Sequence, residues 1–300
     1  MRRPLRERSR APLPPPSHRG RHSALQRCVI EAGGALNRGL YRSPIGRWLR
    51  ERLETGRVFE RVELGLARGG PGLDGLRIVF LSDLHLGCFA TEADVAQLCS
   101  QVAAAEPDLV CLGGDLVHAR PDDLEQIGEA LGCLSPRLGI FAVPGNHDRY
   151  ADPSLGRWRP YLERRGVEVL VNEGRRLRAD GDSLWLGGVD DLSQGVPDLE
   201  AALAGLREEE PALLLSHHPD LFHESASVGV DLTLSGHTHA GQITWFGRAF
   251  TRHTRLGLWR GHFERDGAQL YVGRGAGTGG LPLRIHAPGE LSLITLRTSV

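Results

Sequence analysis

From residue 77 onward, apolar residues come in short unbroken runs, separated by stretches where they recur every three or four positions. The run RIVFLS at 77–82 reads as a strand, and residues 91–105 place Val95, Leu98 and Val102 on one helical face. Further strands are predicted at 109–113, 140–143, 167–171, 184–189, 212–215, 230–234, 269–272 and 291–296, and further helices at 122–134, 154–165 and 199–207. Runs that are apolar on both faces belong to strands covered on both sides, so the alternation predicts an α/β fold with buried sheets. The later strands follow one another without helices, which predicts a second sheet of mixed direction. Ahead of these, Val62 and Leu64 alternate with polar residues as in an edge strand, and Gly69 to Gly72 form a turn.

Before residue 58 the pattern changes. Residues 1–22 are rich in Arg, Pro and Ser, with Pro14, Pro15 and Pro16 in succession, and disorder is expected there. Arg2-Arg3 resembles a twin-arginine export signal, but the apolar segment that must follow is missing. Leu25, Cys28, Val29 and Ala32 have helical spacing. A second helix is predicted with Ser43 as N-cap and Pro44 as first helical residue. It carries Ile45, Trp48, Leu49 and Leu53 on one face and Arg42, Arg47, Arg50 and Arg52 elsewhere. Such a helix suits two uses, lying on an anionic bilayer or packing on the globular domain. The chain is therefore divided into an extension, 1–57, and a domain, 58–300. No apolar run is long enough to cross a membrane.

Composition narrows the function classes. With 40% hydrophobic and 24% charged residues, 300 residues suit a globular protein with a sizeable core. A formal net charge of −1 supplies no global attraction for nucleic acid or an anionic membrane. The chain has Arg and no Lys, which excludes a Schiff-base or P-loop lysine. Cys28, Cys88, Cys99, Cys111 and Cys133 are odd in number and form no CxxC, which points away from a disulfide framework. A reducing, cytoplasmic compartment is expected, peripheral on the inner face of the membrane if the amphipathic helix docks there.

In α/β sheets, functional groups gather just past the carboxyl ends of strands. Five predicted strands end in potential metal ligands: Asp83 with His85; Asp115; Asn146-His147-Asp148; His217-His218; and His237-Thr238-His239. Taken singly, each has a plain structural explanation as a turn cap or a hydrogen-bonded loop histidine. Recurrence at five strand ends is what points to a shared site. Carboxylates, an amide carbonyl and imidazoles together suit Mn²⁺, Fe or Zn²⁺ better than Ca²⁺ or Mg²⁺. About seven side chains exceed the needs of one ion, so two ions sharing a carboxylate are expected.

Read as D-x-H, G-D, G-N-H-D, H and G-H-x-H, these stretches resemble the calcineurin-like metallophosphoesterases, in intact order from about residue 75 onward. The flanks at 81–87, 236–242 and 274–279, with Arg284-Ile285, are similar to the YkuE/YaeI-like bacterial phosphodiesterase branch. The resemblance implies a four-layer α/β/β/α sandwich with two mixed sheets and a two-metal centre between them. It implies that Asp83, His85 and His239 hold one divalent ion, that Asn146, His217 and His237 hold the other, and that Asp115 bridges both. A water bridging two ions about 3.5–4 Å apart would supply hydroxide for in-line attack on phosphorus. His147 is expected to protonate the leaving oxygen or steady the transition state, with Asp148 orienting it. His218 is expected to support the ligands from behind or to meet substrate, Arg274 to meet a substrate phosphate or form a surface salt bridge, Asp190-Asp191 to lie at the pocket or in a turn, and residues 245–262 to form a loop or hairpin over the site. The expected reaction is hydrolysis of a phosphodiester or pyrophosphate on a lipid-linked or nucleotide-sugar substrate, such as UDP-2,3-diacylglucosamine in lipid A synthesis. No basic groove interleaved with aromatics favours nucleic acid. The competing reading is a non-catalytic metal-binding scaffold of the same fold.

Overall fold

Period-two alternation within each strand decides what lies on either side of the sheets. The structure, a computed structural model, describes residues 32–33, 35–37, 39–40, 42–127, 130–246, 248–249 and 251–298. The expected disorder of 1–22 and the helical spacing of Leu25, Cys28 and Val29 lie outside these residues. One six-stranded sheet contains β1 (Val58–Leu66), β2 (Arg77–Leu81), β3 (Leu109–Leu112), β4 (Ile140–Ala142), β5 (Val167–Val169) and β14 (Glu290–Thr298). Its order is β1-β14-β2-β3-β4-β5, parallel except where β14 meets β2. The second contains β6 (Glu173–Ala179), β7 (Asp182–Gly188), β8 (Ala212–Leu215), β9 (Leu232–Ser235), β12 (Gly261–Arg265) and β13 (Ala268–Val272). Its order is β12-β13-β9-β8-β7-β6, with antiparallel pairs at both edges and parallel strands between. A small hairpin, β10 (Thr244–Trp245) with β11 (Arg248–Ala249), stands apart.

Alternate residues of the same strand serve different cores. Ile78, Phe80, Leu109, Cys111 and Phe141 meet Leu186, Leu213, Leu215, Leu232 and Leu234 between the sheets. Val79, Leu81, Val110 and Leu112 turn outward onto Val95, Leu98 and Val102 of α2 (Glu92–Ala104) and Leu162 of α4 (Trp158–Glu163). On the far side, Trp185, Ala212 and Leu214 pack against Ala202 of α5 (Leu199–Ala202) and Leu203. These contacts form helix, sheet, sheet and helix layers, the expected mixed α/β architecture.

Ser43 caps α1 (Pro44–Thr55) as the sequence predicts, its Oγ accepting from Gly46 N at 3.0 Å. Other predicted helices shorten for visible reasons. Within 122–134 the described residues form two 3₁₀ turns, Pro121–Ile127 and Ala130–Cys133, and the sequence there carries two poor helix formers, Gly128 and Gly132. The helix expected from 154 begins only at Trp158, because the Asp152 carboxylate accepts from Arg157 N (2.7 Å) and Trp158 N (3.0 Å). The helix expected over 199–207 stops at Ala202, and Gly205 turns the chain at φ +105°. Four elements went unread: β6, whose three arginines mask its alternation, β12, α3 (Asn146–Ala151) and α6 (Phe222–Ser227). The turn Asp180-Gly181, with φ of 49° and 94°, closes the β6–β7 hairpin and is the signal that could have found β6. Among the described residues no helix is long and apolar enough to cross a membrane.

Candidate metal centre

Parallel neighbours in register bring the residues after β2, β3 and β4 to one edge of the first sheet, and those after β8 and β9 to the facing edge of the second. Two bonds tie these edges together. His217 Nδ1 donates to Gly113 O at 2.7 Å, and His237 N lies 3.1 Å from both Asp83 oxygens. Two side-chain groups built on carboxylates result, beside a third of imidazoles alone, His85 with His118 and His147. In the first, His85 Nε2 is 3.0 Å from His239 Nε2, which is 3.4 Å from Asp83 Oδ1. In the second, Asp115 Oδ2 is 3.3 Å from His217 Nε2, and His237 Nδ1 is 2.8 Å from Asn146 Oδ1. Asp115 joins the two, since the same Oδ2 lies 3.7 Å from His85 Nε2. Its other oxygen accepts from His147 N at 2.8 Å.

The backbone is bent to achieve this. Asp83, His85, Asp115, His237 and His239 all adopt left-handed conformations, with φ from 49° to 68°. Each costs on the order of 1–3 kcal/mol, and such strain persists where the surrounding structure over-determines it. Gly145 is required by close approach, because a Cβ there would lie 2.2 Å from Asp115 Oδ1. Gly236 is held likewise, with its Cβ position 2.4 Å from Ser82 Oγ.

The donor set fits divalent cations. Burial holds His85, His237 and His239 well below the ordinary histidine range, so each is neutral with a bare ring nitrogen. Burial also pushes Asp83 up to about 6, with the Asp115 carboxylate adding to it against the pull of His217. Burial disfavours charge on His217, yet Asp115 and Asp83 outweigh it and push the ring up to about 10. Its buried Nε2, though close to Asp115, lacks the alignment for a hydrogen bond. Neutral nitrogens facing each other, buried carboxylates and an unsatisfied ring atom are the pattern that a cation resolves. The groups open onto a cavity of about 450 Å³ whose lining includes His85, Asp115, Asn146, His147, His237 and His239.

The calcineurin-like phosphoesterase profile matches residues 76–241, a span that holds every candidate ligand. The chain belongs to the calcineurin-like phosphoesterase family. A zebrafish (Danio rerio) relative, "Transmembrane protein with metallophosphoesterase domain", is 34% identical over 250 residues, 79% of this chain and 56% of that protein. The "Uncharacterized metallophosphoesterase YkuE" of Bacillus subtilis is 31% identical over 234 residues, 76% of this chain and 81% of that one. A Helicobacter pylori metallophosphoesterase is 35% identical over 231 residues, 74% of this chain and 60% of that one. The match thus spans little more than half the length of the zebrafish relative.

Within this phosphoesterase fold the remaining expected residues fall in different places. His147 lines the cavity, and its Nδ1 donates to His118 O at 2.6 Å, leaving Nε2 for whatever enters. Asp148 does not supply that orienting bond. Its oxygens accept from Gly145 N (2.9 Å) and Val117 N (3.1 Å), fixing the loop into α3 (Asn146–Ala151) instead. His218 packs behind His237 at 4.2 Å between ring centroids, and its Nδ1 accepts from Asp220 N at 3.3 Å. Arg274 is not in the cavity lining; it pairs with Glu60 (3.2 Å) and Glu290 (3.1 Å), a correction to its expected substrate role. Asp190 is taken by Arg149 in a two-bond fork at 2.8 Å, and Asp191 caps the turn at Ser193 and Gln194. The hairpin expected within 245–262 is β10–β11 with the following loop, which sends Thr251 and His253 to the cavity.

Two residues near the centre had no role expected from the sequence. His118 is buried, with Nδ1 3.3 Å from His85 Nδ1 and its ring stacked on His147 at 4.9 Å. Arg284 is half-buried beneath the glycine-rich loop, where its guanidinium donates to the carbonyls of Arg274, Gly275, Gly277, Ala287 and His239. Burial lowers it to about 10, which still leaves it charged. Arg284→Met is expected to lower stability by roughly 3–5 kcal/mol, since several charge-assisted bonds go at once and carbonyls are left bare. It should also weaken metal affinity about 10–100-fold by freeing His239. Urea midpoints and chelator competition check both effects, and a change in neither would show that the loop holds itself.

Proposed function

We propose that this chain is a binuclear metal-dependent phosphoesterase that hydrolyses phosphodiester or pyrophosphate bonds in a lipid-linked or nucleotide-sugar substrate, the class UDP-2,3-diacylglucosamine represents. The observation that carries the reading is Asp115 Oδ2, 3.7 Å from His85 Nε2 and 3.3 Å from His217 Nε2, where one carboxylate would serve two ligand groups. Asp83, His85 and His239 would hold one divalent ion, Asn146, His217 and His237 the other, and Asp115 both. When bound, Mn²⁺, Fe or Zn²⁺ would polarise water and offset charge on the phosphoryl oxygens. His147 is fixed through Nδ1, and its imidazolium form would give the proton on Nε2 to the leaving oxygen, leaving the neutral ring with its proton on Nδ1. Asp148 supports that loop, and His218 supports His237.

Ile243 and Leu281 stand beside the polar floor of the cavity, which suits a substrate with a phosphate and an apolar part. Relatives described as transmembrane proteins with a metallophosphoesterase domain support a membrane-side substrate. In this reading residues 58–300 carry catalysis, and 1–57 are an accessory extension on the cytoplasmic face of a membrane. The helix α1 sets Leu49 and Leu53 along a groove with Leu283 and leaves Ile45 and Trp48 exposed, which supports a use at a bilayer surface beside its packing on the domain.

The test is hydrolysis of bis-p-nitrophenyl phosphate against p-nitrophenyl phosphate by metal-stripped protein refilled with Mn²⁺. Mn²⁺-dependent cleavage that favours the diester is expected. Metal removal should also lower Tm by about 5–10 °C, because saturating ions that bind only the folded chain contribute about 3 kcal/mol. Two bound metals per chain without turnover of either compound would favour the non-catalytic scaffold instead.

A further inference from the structure

Exposed large apolar side chains gather beside the mouth of the cavity. Ile45 (65% exposed) and Trp48 (54%) lie on α1, Trp245 (64%) and Phe246 (92%) on the β10–β11 hairpin, and Leu281 (62%) and Leu283 on the loop between them. Contacts join Trp48, Leu283, Trp245 and Phe246 into one strip. Trp48 and Leu283 line a single groove that also holds His286. The His286 ring is 5.6 Å from Trp245, whose ring is 5.6 Å from Phe246. Leu281 lines the catalytic cavity itself, and its carbonyl accepts from Gln242 Nε2 at 2.9 Å. Surface apolar residues scattered singly need no explanation, but a continuous strip bordering a site marks an interaction surface.

Charge and shape identify the partner. Arg42, Arg47, Arg52 and Arg248 are exposed around the strip, and the Arg52 guanidinium lies 5.2 Å over the Trp48 ring. The groove at Trp48 has no carboxylate in its lining, and Glu51 is the exposed acid on α1 whose side chain is described. The overall charge of −1 makes this cationic cluster a local feature. Tryptophan and arginine side by side, with aromatic and aliphatic side chains protruding, match a headgroup layer above acyl chains. Beyond that groove Phe246, at a hairpin tip, stands out from the surface, which suits insertion among headgroups rather than a bound peptide.

We propose that this strip seats the chain on an anionic lipid bilayer with the catalytic mouth against the headgroups, so that the scissile phosphate comes from the membrane surface. The binding stands on the strip itself; the delivery of substrate rests on the phosphoesterase reading.

The test uses the full, metal-loaded chain in co-flotation with vesicles of phosphatidylcholine alone or of equimolar phosphatidylcholine and phosphatidylglycerol. Binding to the anionic vesicles and little to the neutral ones is expected. The triple variant Trp48→Ser, Trp245→Ser, Phe246→Ser should bind at least about tenfold more weakly. Arg47→Gln with Arg52→Gln should weaken binding about thirtyfold on anionic vesicles, each arginine contributing its share of phosphate attraction. Both variants should hydrolyse bis-p-nitrophenyl phosphate as the parent does, which shows that they fold. Full-chain protein that stays off anionic vesicles overturns the proposal, as does unchanged binding by both variants. A parent that self-associates through the strip, with the triple variant monomeric and equally bound to vesicles, makes it a protein interface and also overturns it. Vesicle binding without diester turnover would sink the phosphoesterase reading alone, and turnover without vesicle binding would sink this one alone.

Discussion

Asp115→Ala is expected to abolish diester hydrolysis and to strip bound metal in the same step. The two losses belong together because one oxygen of Asp115 faces His85 and His217 from opposite groups. Removing it leaves each group with neutral imidazoles and, in one of them, a single carboxylate, too little negative charge to hold two dications. A second effect follows through the other oxygen, which accepts from His147 N and so fixes the start of α3. Asp115→Asn separates these effects. It keeps an oxygen for His147 N but removes the charge, so metal content should still fall while the fold and its urea midpoint hold. Metal analysis per chain beside steady-state rates reads both. Full occupancy by two metals in either variant would mean that Asp115 is not shared, and that the two groups bind independently.

How much of this was legible in the sequence depended on the reach of the interactions. The parallel strands could be read because they are apolar on both faces, as with Ile78 and Phe80 inward against Val79 and Leu81 outward. The candidate ligands could be gathered because each follows such a strand within a few residues, so strand order alone collects them. What failed was everything settled by distant partners. Arg274 and Arg284 are ten residues apart in one glycine-rich segment, and nothing local tells them apart. Glu60 and Glu290, from the paired strands β1 and β14, claim Arg274, while the curled loop 274–277 and His239 surround Arg284. Asp148 was given the neighbour it has in sequence, but a residue at the start of a short helix turns back onto its own cap, here Gly145 N. The partner of His147 is instead His118 O, twenty-nine positions upstream. Short helices failed similarly, since their ends are set by side-chain caps such as Asp152 rather than by periodicity.

His147→Ala should leave both metals in place and slow catalysis by about 10²–10⁴-fold, the range for losing a general acid. Metal retention is expected because Asp115 bonds the backbone N–H of residue 147, which the substitution keeps, while Asn146 is held by its own contact with His237. The loss should fall on kcat more than on KM, since a proton given to the leaving oxygen matters at the transition state. Leaving groups provide the sharper measurement. A nitrophenolate departs without a proton, so the variant should lose about 10² with bis-p-nitrophenyl phosphate, and nearer 10⁴ with a diester whose leaving group is an alkoxide. Equal losses on both would assign His147 to charge stabilisation through its Nε2–H rather than to proton transfer. Loss of metal would move it to the support of His85, whose ring it meets edge-on at 4.6 Å. The three outcomes differ in what they say of one nitrogen, because Nδ1 is already committed to His118 O.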